Sequence, residues 1–284
     1  MKMPIKLNKT GWPTFVTRWL PATNDPRVLL QPNLDPEAFT LAVCVFKFGS
    51  TFKITKRARF PKTVKILANL DFPTPPVILD VGASDGITSL YVMQNLAFKK
   101  YFVTDLNPEV HYVSQDGRDY FYAPNGDCIL IVSDRLVVYS DYEDSNPLLR
   151  KLAERLFLKK PNFDDNLQQI ELINPAVKNS FDDVVVCRHS IFDPWQREKP
   201  NLVIAANILN RVYFSDSLLS QAVDNLLTSL ADDGVLAVID SREGKVIENS
   251  TVFKKSAGRL AVVGCINGGT EIQDLILDHS YESN

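Results

Sequence analysis

At 284 residues and 45% hydrophobic content, the chain is long enough for one large domain or a domain with an appendage, and apolar enough for a sizeable core. No apolar run approaches the roughly 20 residues that a membrane-crossing helix needs, and Met1 to Lys6 leads into no signal-peptide core, so the expectation is a cytoplasmic protein without a membrane span. The net charge of −3 is unevenly spread: residues 1–70 hold 12 Lys and Arg against 3 Asp and Glu, and the remainder 19 against 31.

In chain order, the first 30 residues are irregular. Pro13, Pro21 and Pro26 break any long periodicity, while Trp12, Phe15, Trp19 and Leu20 offer apolar anchors, which predicts an arm that packs onto something. Asp35-Pro36-Glu37 then reads as a helix opening, with an N-cap acid and a proline at the first helical position. The apolar stretch Phe39 to Phe46 comes next, and Gly49 is expected to stop it. Residues 51–65 interleave six cations, Lys53, Lys56, Arg57, Arg59, Lys62 and Lys65, with only Phe52 and Phe60 as aromatics. That is too few for a base-stacking platform, so nucleic acid is disfavoured and a solvated basic face favoured. Pro73, Pro75 and Pro76 make a stiff entry to the apolar run that begins at Val77. The expected domains are therefore a basic N-terminal helical arm over 1–70 and a main domain over 71–284.

The main domain is organised around Val77-Ile78-Leu79-Asp80-Val81-Gly82-Ala83-Ser84-Asp85-Gly86 and the apolar segment Ile87 to Met93, which read as strand, tight loop and helix. Gly82 permits a sharp turn, and Gly86 lets the helix begin close to a ligand. A phosphate-binding loop would need Lys-Ser/Thr where Ile87-Thr88 stand. A dinucleotide loop would need a third glycine where Ser84 stands, and the acid Asp85 is expected to repel a diphosphate. The loop suits a ligand with positive charge and no phosphate.

A second strand, Lys100 to Asp105, ends in an acid 19 residues beyond Gly86. That spacing lets a carboxylate reach a ribose diol in a βαβ unit. The alternative is that Asp105 caps a following helix. From here the chain resembles the class I S-adenosylmethionine-dependent methyltransferases, whose first motif is an acid and spaced glycines after a buried strand. The resemblance implies that Asp80 sits near the amino-acid end of S-adenosyl-L-methionine, and that Gly82, Ala83, Ser84, Asp85 and Gly86 curve around its amino acid and ribose. Asp105 and the adjoining Leu106 would complete the nucleoside site. Ser84 departs from the family's usual glycine.

After Asp105 the next convincing central strand, Asp183 to Arg188, comes nearly eighty residues later, so an insertion over about 114–180 is expected. Asp119 to Tyr122, an Asn125-Gly126 turn, Cys128 to Val132 and Leu136 to Tyr139 read as a hairpin or three-stranded meander. Leu148 to Phe157 reads as an amphipathic helix. The insertion is expected to serve as a lid or a homodimer contact.

The core then resumes. Asn201 to Ala206 is a strand, Leu218 to Leu230 a helix by spacing, Asp232-Asp233-Gly234 a turn, and Val235 to Asp240 a further strand. Arg259 to Cys265 and Glu271 to Leu277, joined by Asn267-Gly268-Gly269, read as a closing hairpin. The fold class is thus α/β, a Rossmann-like, seven-stranded, mostly parallel sheet with an antiparallel last strand, plus a β-rich insertion and an N-terminal helical arm. Within it, Ser190-Ile191-Phe192-Asp193-Pro194 and Asn207-Ile208-Leu209-Asn210 to Tyr213-Phe214 look most like the chemotaxis receptor glutamate methyltransferases. Those have Asn-Leu at the adenine contact, and Asn-Val-Leu-Ile-Tyr-Phe after the fourth strand. The likeness implies Ser190 and Ile191 beside the adenine and Asn207 beside the donor. Ser190 replaces the family's Asn, two extra residues precede Tyr213, and the family's receptor-binding helical domain is not evident in 1–70.

Cys44, Cys128, Cys187 and Cys265 are widely separated and read as small buried hydrophobes. His111, His189 and His279 have no ligand spacing, so no metal is expected. Methyl transfer from a sulfonium needs alignment and water exclusion more than a catalytic group. Tyr213 is the candidate on the acceptor side, with core packing as its alternative. The methyl acceptor itself is not legible. The competing functions are a non-catalytic methyltransferase-like module, and a nicotinamide-dependent oxidoreductase, which the missing third glycine disfavours.

Overall fold

The computed structural model describes residues 3–49, 51–164, 167–241, 248–256 and 259–282. The chain divides into two compact units: Met1–Thr55 with Asn107–Asn174, and Lys56–Leu106 with Pro175–Asn284. It therefore passes through each unit twice.

The first leg, in unit 1, carries β1 (Ile5–Asn8), α1 (Thr14–Thr17), β2 (Ala22–Thr23), α2 (Pro36–Val43), β3 (Lys47–Phe48) and β4 (Thr51–Phe52). Helix α2 starts as its sequence predicts, with Asp35 accepting from the Glu37 and Ala38 N–H groups at 3.0 and 3.1 Å. The second leg, in unit 2, carries α3 (Pro61–Ala68), β5 (Val77–Val81), α4 (Ile87–Met93) and β6 (Lys100–Asp105). Back in unit 1 come β7 (Glu109–Gln115), β8 (Arg118–Tyr122), β9 (Cys128–Val132), β10 (Leu136–Tyr139), α5 (Pro147–Phe157) and β11 (Gln168–Glu171). Unit 2 is completed by α6 (Pro175–Asn179), β12 (Val184–Arg188), β13 (Leu202–Ala206), α7 (Asp216–Ser229), β14 (Val235–Ser241), β15 (Glu248–Ser256), β16 (Arg259–Ile266) and α8 (Gln273–Glu282).

Unit 1 is built on a seven-stranded sheet in the order β11-β7-β8-β9-β10-β1-β2. The expected meander is β8-β9-β10, with Tyr120 opposite Ile131 and Ile131 opposite Val138. Alternation sends Phe121 to one face, with Phe39, Phe46 and Leu130, and Tyr120 and Tyr122 to the other, beneath Ala153 and Phe157 of α5. The N-terminal segment is not a separate helical arm. Strand β1 pairs antiparallel with β10, and β2 pairs parallel with β1, so residues 5–23 extend the sheet of the insertion. The pairing bridges more than a hundred residues, and local periodicity carries no sign of it.

Unit 2 is α/β, with a seven-stranded sheet in the order β12-β6-β5-β13-β14-β15-β16. Strands β12, β6, β5, β13 and β14 are mutually parallel, and β15 runs against β14 and β16. This is the mostly parallel, Rossmann-like sheet with an antiparallel end that the sequence predicts. The reversed strand is β15, next to the edge. Leu79, Val203, Ala205, Leu236 and Val238 pack with the apolar side of α7 and with Ile272 and Ile276 near and in α8. The opposite face receives α4, whose Ser89 bonds Asp80.

The closing hairpin is one element earlier than its sequence signal. Glu271 to Leu277 does not form a strand: Ile272 and Ile276, four apart, are buried as on a helix face, and Asn267-Gly268-Gly269 leads from β16 to α8. The strand missed was β15. Its buried Asn249, Ser250 and Thr251 interrupt the apolar alternation by which a strand is recognised. Of the four free cysteines, Cys128 is buried, Cys44 and Cys187 are half-buried, and Cys265 is exposed, contrary to the expectation for Cys265.

Candidate ligand site at the carboxyl edge of the parallel sheet

Register fixes which segments meet. Val81 lies beside Thr104 and Ala205, Asp105 beside Arg188, and Ala206 beside Ile239. The segments after β5, β6, β12 and β13 therefore leave the sheet along one edge. From β5 the chain builds outward through β6 to β12, and from β13 it builds the other way. The order reverses between β5 and β13, the kind of place where an open α/β sheet leaves a crevice for a ligand. Gly82 to Gly86, Asp105, Leu106, Ser190, Ile191 and Asn207 are all found at or just beyond strand ends on this edge.

The glycine loop turns by left-handed backbone at Gly82 (φ +67°), Ser84 (φ +61°) and Gly86 (φ +79°). Ser84 thus has a left-handed conformation that glycine adopts without strain. A Cβ on Gly82 would lie 2.4 Å from Cδ1 of Ile208, just after β13, so the two loops of the switch point touch here. The loop is pinned by Ala83 N–H to the Thr104 carbonyl and by Gly86 N–H to the Ala83 carbonyl, both 2.9 Å.

The three acids of the motif have different fates. Asp80 lies within β5, and alternation turns its carboxyl toward α4, where Oδ2 accepts from Ser89 Oγ at 2.7 Å and Tyr101 OH at 2.9 Å. Burial pushes its pKa up to about 6, against the lowering effect of those two bonds. Asp85 is also fully buried, and its Oδ1 accepts from Ile87 N–H at 2.9 Å, supplying the side-chain cap that Gly86 cannot give α4. The expected repulsive charge facing a diphosphate is accordingly enclosed. Asp105 alone of the three is only half-buried, and its Oδ2 accepts from the Ser84 N–H at 2.9 Å. It does not cap a helix, because the next element is strand β7.

His189, which sequence reasoning passed over, lies just beyond β12 and donates its backbone N–H to the Asp105 carbonyl at 3.1 Å. Its ring meets Trp195 edge to face, and burial lowers its pKa, partly offset by Asp193. The only signal in the sequence was its place just beyond a strand. Ser190 closes a turn, with Oγ accepting from Phe192 N–H at 3.2 Å. Ile191 is buried in the core with Phe102 and Leu226. Leu106 is exposed.

Asn207 also has left-handed backbone (φ +58°), and its N–H reaches the Ile239 carbonyl at 2.7 Å. Asn210 then shapes the next turn, its Oδ1 accepting from the N–H groups of Val212 and Tyr213 at 3.1 and 3.2 Å. Arg211 ties this loop down through Asp216 and the Glu271 carbonyl. Tyr213 is exposed, with its ring edge-on to Phe214, and it is not a core residue. The edge thus combines a backbone cradle, one accessible carboxylate and apolar Ile208 and Leu106, chemistry that suits a hydroxyl-bearing nucleoside. Among the described residues no cluster of three or more His, Cys, Asp or Glu is placed to hold a metal, and no helix is long and apolar enough to cross a membrane.

Neither a protein-family model nor a curated protein matches the chain. Solved structures with some likeness include the N-methyltransferase NodS from Bradyrhizobium japonicum WM9 in complex with S-adenosyl-L-homocysteine, at 12% identity over 67% of this chain and 66% of that one, TM-score 0.34. An O-methyltransferase family protein from Burkholderia thailandensis matches at 11% identity over 74% of this chain and 42% of that one, TM-score 0.36. Human N-acetylserotonin methyltransferase in complex with SAM matches at 15% identity over 63% and 33%, TM-score 0.31. The chain thus spans between a third and two thirds of the length of these structures. At such scores the likeness bears no weight, and the Rossmann-like fold of unit 2 rests on its own strand order and register.

Proposed function

We propose that unit 2 binds S-adenosyl-L-methionine at the carboxyl edge and is a methyltransferase. The observation that carries this reading is the half-buried Asp105 carboxylate set against the Ser84 N–H of a left-handed glycine loop, at the point where the strand order reverses. Asp105 would accept from the ribose hydroxyls, and Gly82, Ala83, Ser84 and Gly86 would curve around the amino acid and ribose. Leu106, Ser190 and the backbone of Ile191 would flank the adenine, and Asn207 the donor group. Asp80 and Asp85 act from behind, holding the root of the loop and the start of α4. When bound, the sulfonium supplies an activated methyl group and its own leaving group. The chain's part is to align the acceptor and exclude water.

Titration calorimetry with S-adenosylhomocysteine beside NAD tests the reading. Heat with the former and none with NAD is expected. Asp105→Ala should weaken binding about ten- to hundredfold, from loss of charge-assisted bonds worth roughly 1.5–3 kcal/mol. Binding of NAD alone would overturn the assignment.

The acceptor we infer is a small or side-chain anion. Thr88 in the first turn of α4 donates to the Lys56 carbonyl at 2.9 Å, which sets the backbone of Lys56 beside the loop-to-helix junction, while the Arg57 guanidinium bonds Gln94 at the other end of that helix. Lys53 belongs elsewhere, buried in unit 1 with its ammonium over Phe48. Charge reversal at Lys56 and Arg59 should raise the acceptor's KM severalfold and flatten its salt dependence, with donor affinity unchanged. Kinetics unchanged across a salt series would make the stretch a solvated face.

A second reading, binding without transfer, draws on Tyr213, which is exposed and has no hydrogen bond at its hydroxyl among the described residues. Single-turnover assays with labelled donor and candidate anions separate the two.

A further inference from the structure

Helix α5 of unit 1 has an exposed side on which leucines and cations alternate. Inward, Ala153 and Phe157 are buried against Tyr120, Tyr122 and Val138. Outward, Leu148 is 80% exposed, Leu152 45%, and Leu158, the residue that ends the helix, 84%. Lys151, Arg155 and Lys159 are exposed between and beside them. At separations of three, four and seven residues these six share one side of the helix. Arg150 is paired with Glu154 at 2.8 Å. No carboxylate pairs with Lys151, Arg155, Lys159 or Lys160 among the described residues, so this side is both apolar and cationic.

We propose that this side of α5 docks in the plane of an anionic lipid bilayer, its leucines at the boundary of headgroups and acyl chains and its cations among the phosphates. A basic amphipathic helix with exposed leucines has the chemistry for that surface. A two-fold contact of α5 with a second copy of itself would set Lys151 and Arg155 against their own copies, which charge disfavours. Leu148 and Leu158 stand on a convex helix about 15 Å apart along its axis. A fluid interface adapts to such separated projections, where a protein groove would need matched pockets. The same unit also exposes Phe15, Trp19 and Leu20 beside Arg18, residue types that settle at headgroup level. The contact is peripheral and reversible, and it is independent of the donor site proposed for unit 2.

The test is sedimentation of the purified full chain with vesicles of phosphatidylcholine alone, and of phosphatidylcholine mixed with phosphatidylglycerol, at low and raised salt. Binding to the mixed vesicles is expected, weakened about tenfold or more by omitting phosphatidylglycerol or by raising salt. Each cation near such a surface is worth about fivefold, so Lys151→Gln with Arg155→Gln should reduce partitioning about thirtyfold. Leu148→Ser with Leu158→Ser should also reduce it, while leaving the salt dependence in place. All four positions are exposed, so both variants should keep the parent's circular dichroism and melting temperature. Absence of binding to the mixed vesicles, equal binding to both kinds, or binding untouched by either pair of substitutions would overturn the proposal. So would a dimer in sedimentation velocity that the leucine substitutions dissociate while vesicles bind nothing, which would give the face to a second copy.

Discussion

Asp80 shows how one position along a strand changes what an acid does. One residue later its carboxyl would face the opposite, apolar side of the sheet, where Val81 packs in the core with α7; where it stands, it is enclosed between β5 and α4, with Ser89 and Tyr101 as donors. Its folded pKa, about 6, lies above the unfolded value of 3.8, so the folded chain holds the proton more tightly. This contribution to stability is therefore complete below about pH 4 and is lost as pH rises through about 6. Asp80→Asn keeps an acceptor for Ser89 and Tyr101 without a charge. It should accordingly flatten stability across that window and raise it at pH 7 by up to about 3 kcal/mol. Thermal melts through the window check this, and an undiminished slope in the variant would place the titration elsewhere.

Among the elements, α3 depends on a partner far away in the chain. Phe60 at its N-cap offers no side-chain bond. Instead Glu248, at the start of β15, accepts from Lys62 N–H at 3.1 Å and from both the N–H and the hydroxyl of Thr63 at 2.5 Å. A buried carboxylate at a helix N-terminus satisfies two orphan donors and faces the positive end of the dipole. Glu248→Ala should cost about 2–4 kcal/mol, since it leaves those donors buried and unmade, and Glu248→Gln should cost less. Urea melts give the values, and an alanine variant as stable as the parent would mean that water replaces the cap.

For the whole molecule, each unit is assembled from two separated stretches of chain. Deleting 119–158 would remove α5 and take β8, β9 and β10 from the middle of the unit 1 sheet, leaving the inner edges of β7 and β1 unpaired. A deletion that respects the units removes 1–55 and 107–174, rejoining Leu106 to Pro175 by a flexible linker. All seven strands of unit 2 are then retained. This shortened chain should give α/β circular dichroism and a cooperative melt, and loss of cooperativity would show that unit 2 draws stability from unit 1.

Much of this fold was determined by the sequence alone, wherever the signal was local. The alternation of Tyr120-Phe121-Tyr122 marks the meander, the Asp35-Pro36 start marks α2, and the β-branched run ending at Gly82 marks β5 and its loop. Asp105 at 19 residues from Gly86 marked the neighbouring strand end. What the tertiary structure decided was non-local. It set which way Asp80 and Asp85 point, placed Ile208 against Gly82 and His189 beside Asp105, joined β1 to β10, and made a strand of the polar segment at Glu248–Ser256. Periodicity reports the local period and the side of an element that is buried. The partner that buries it, tens to hundreds of residues away, is chosen only when the sheets close.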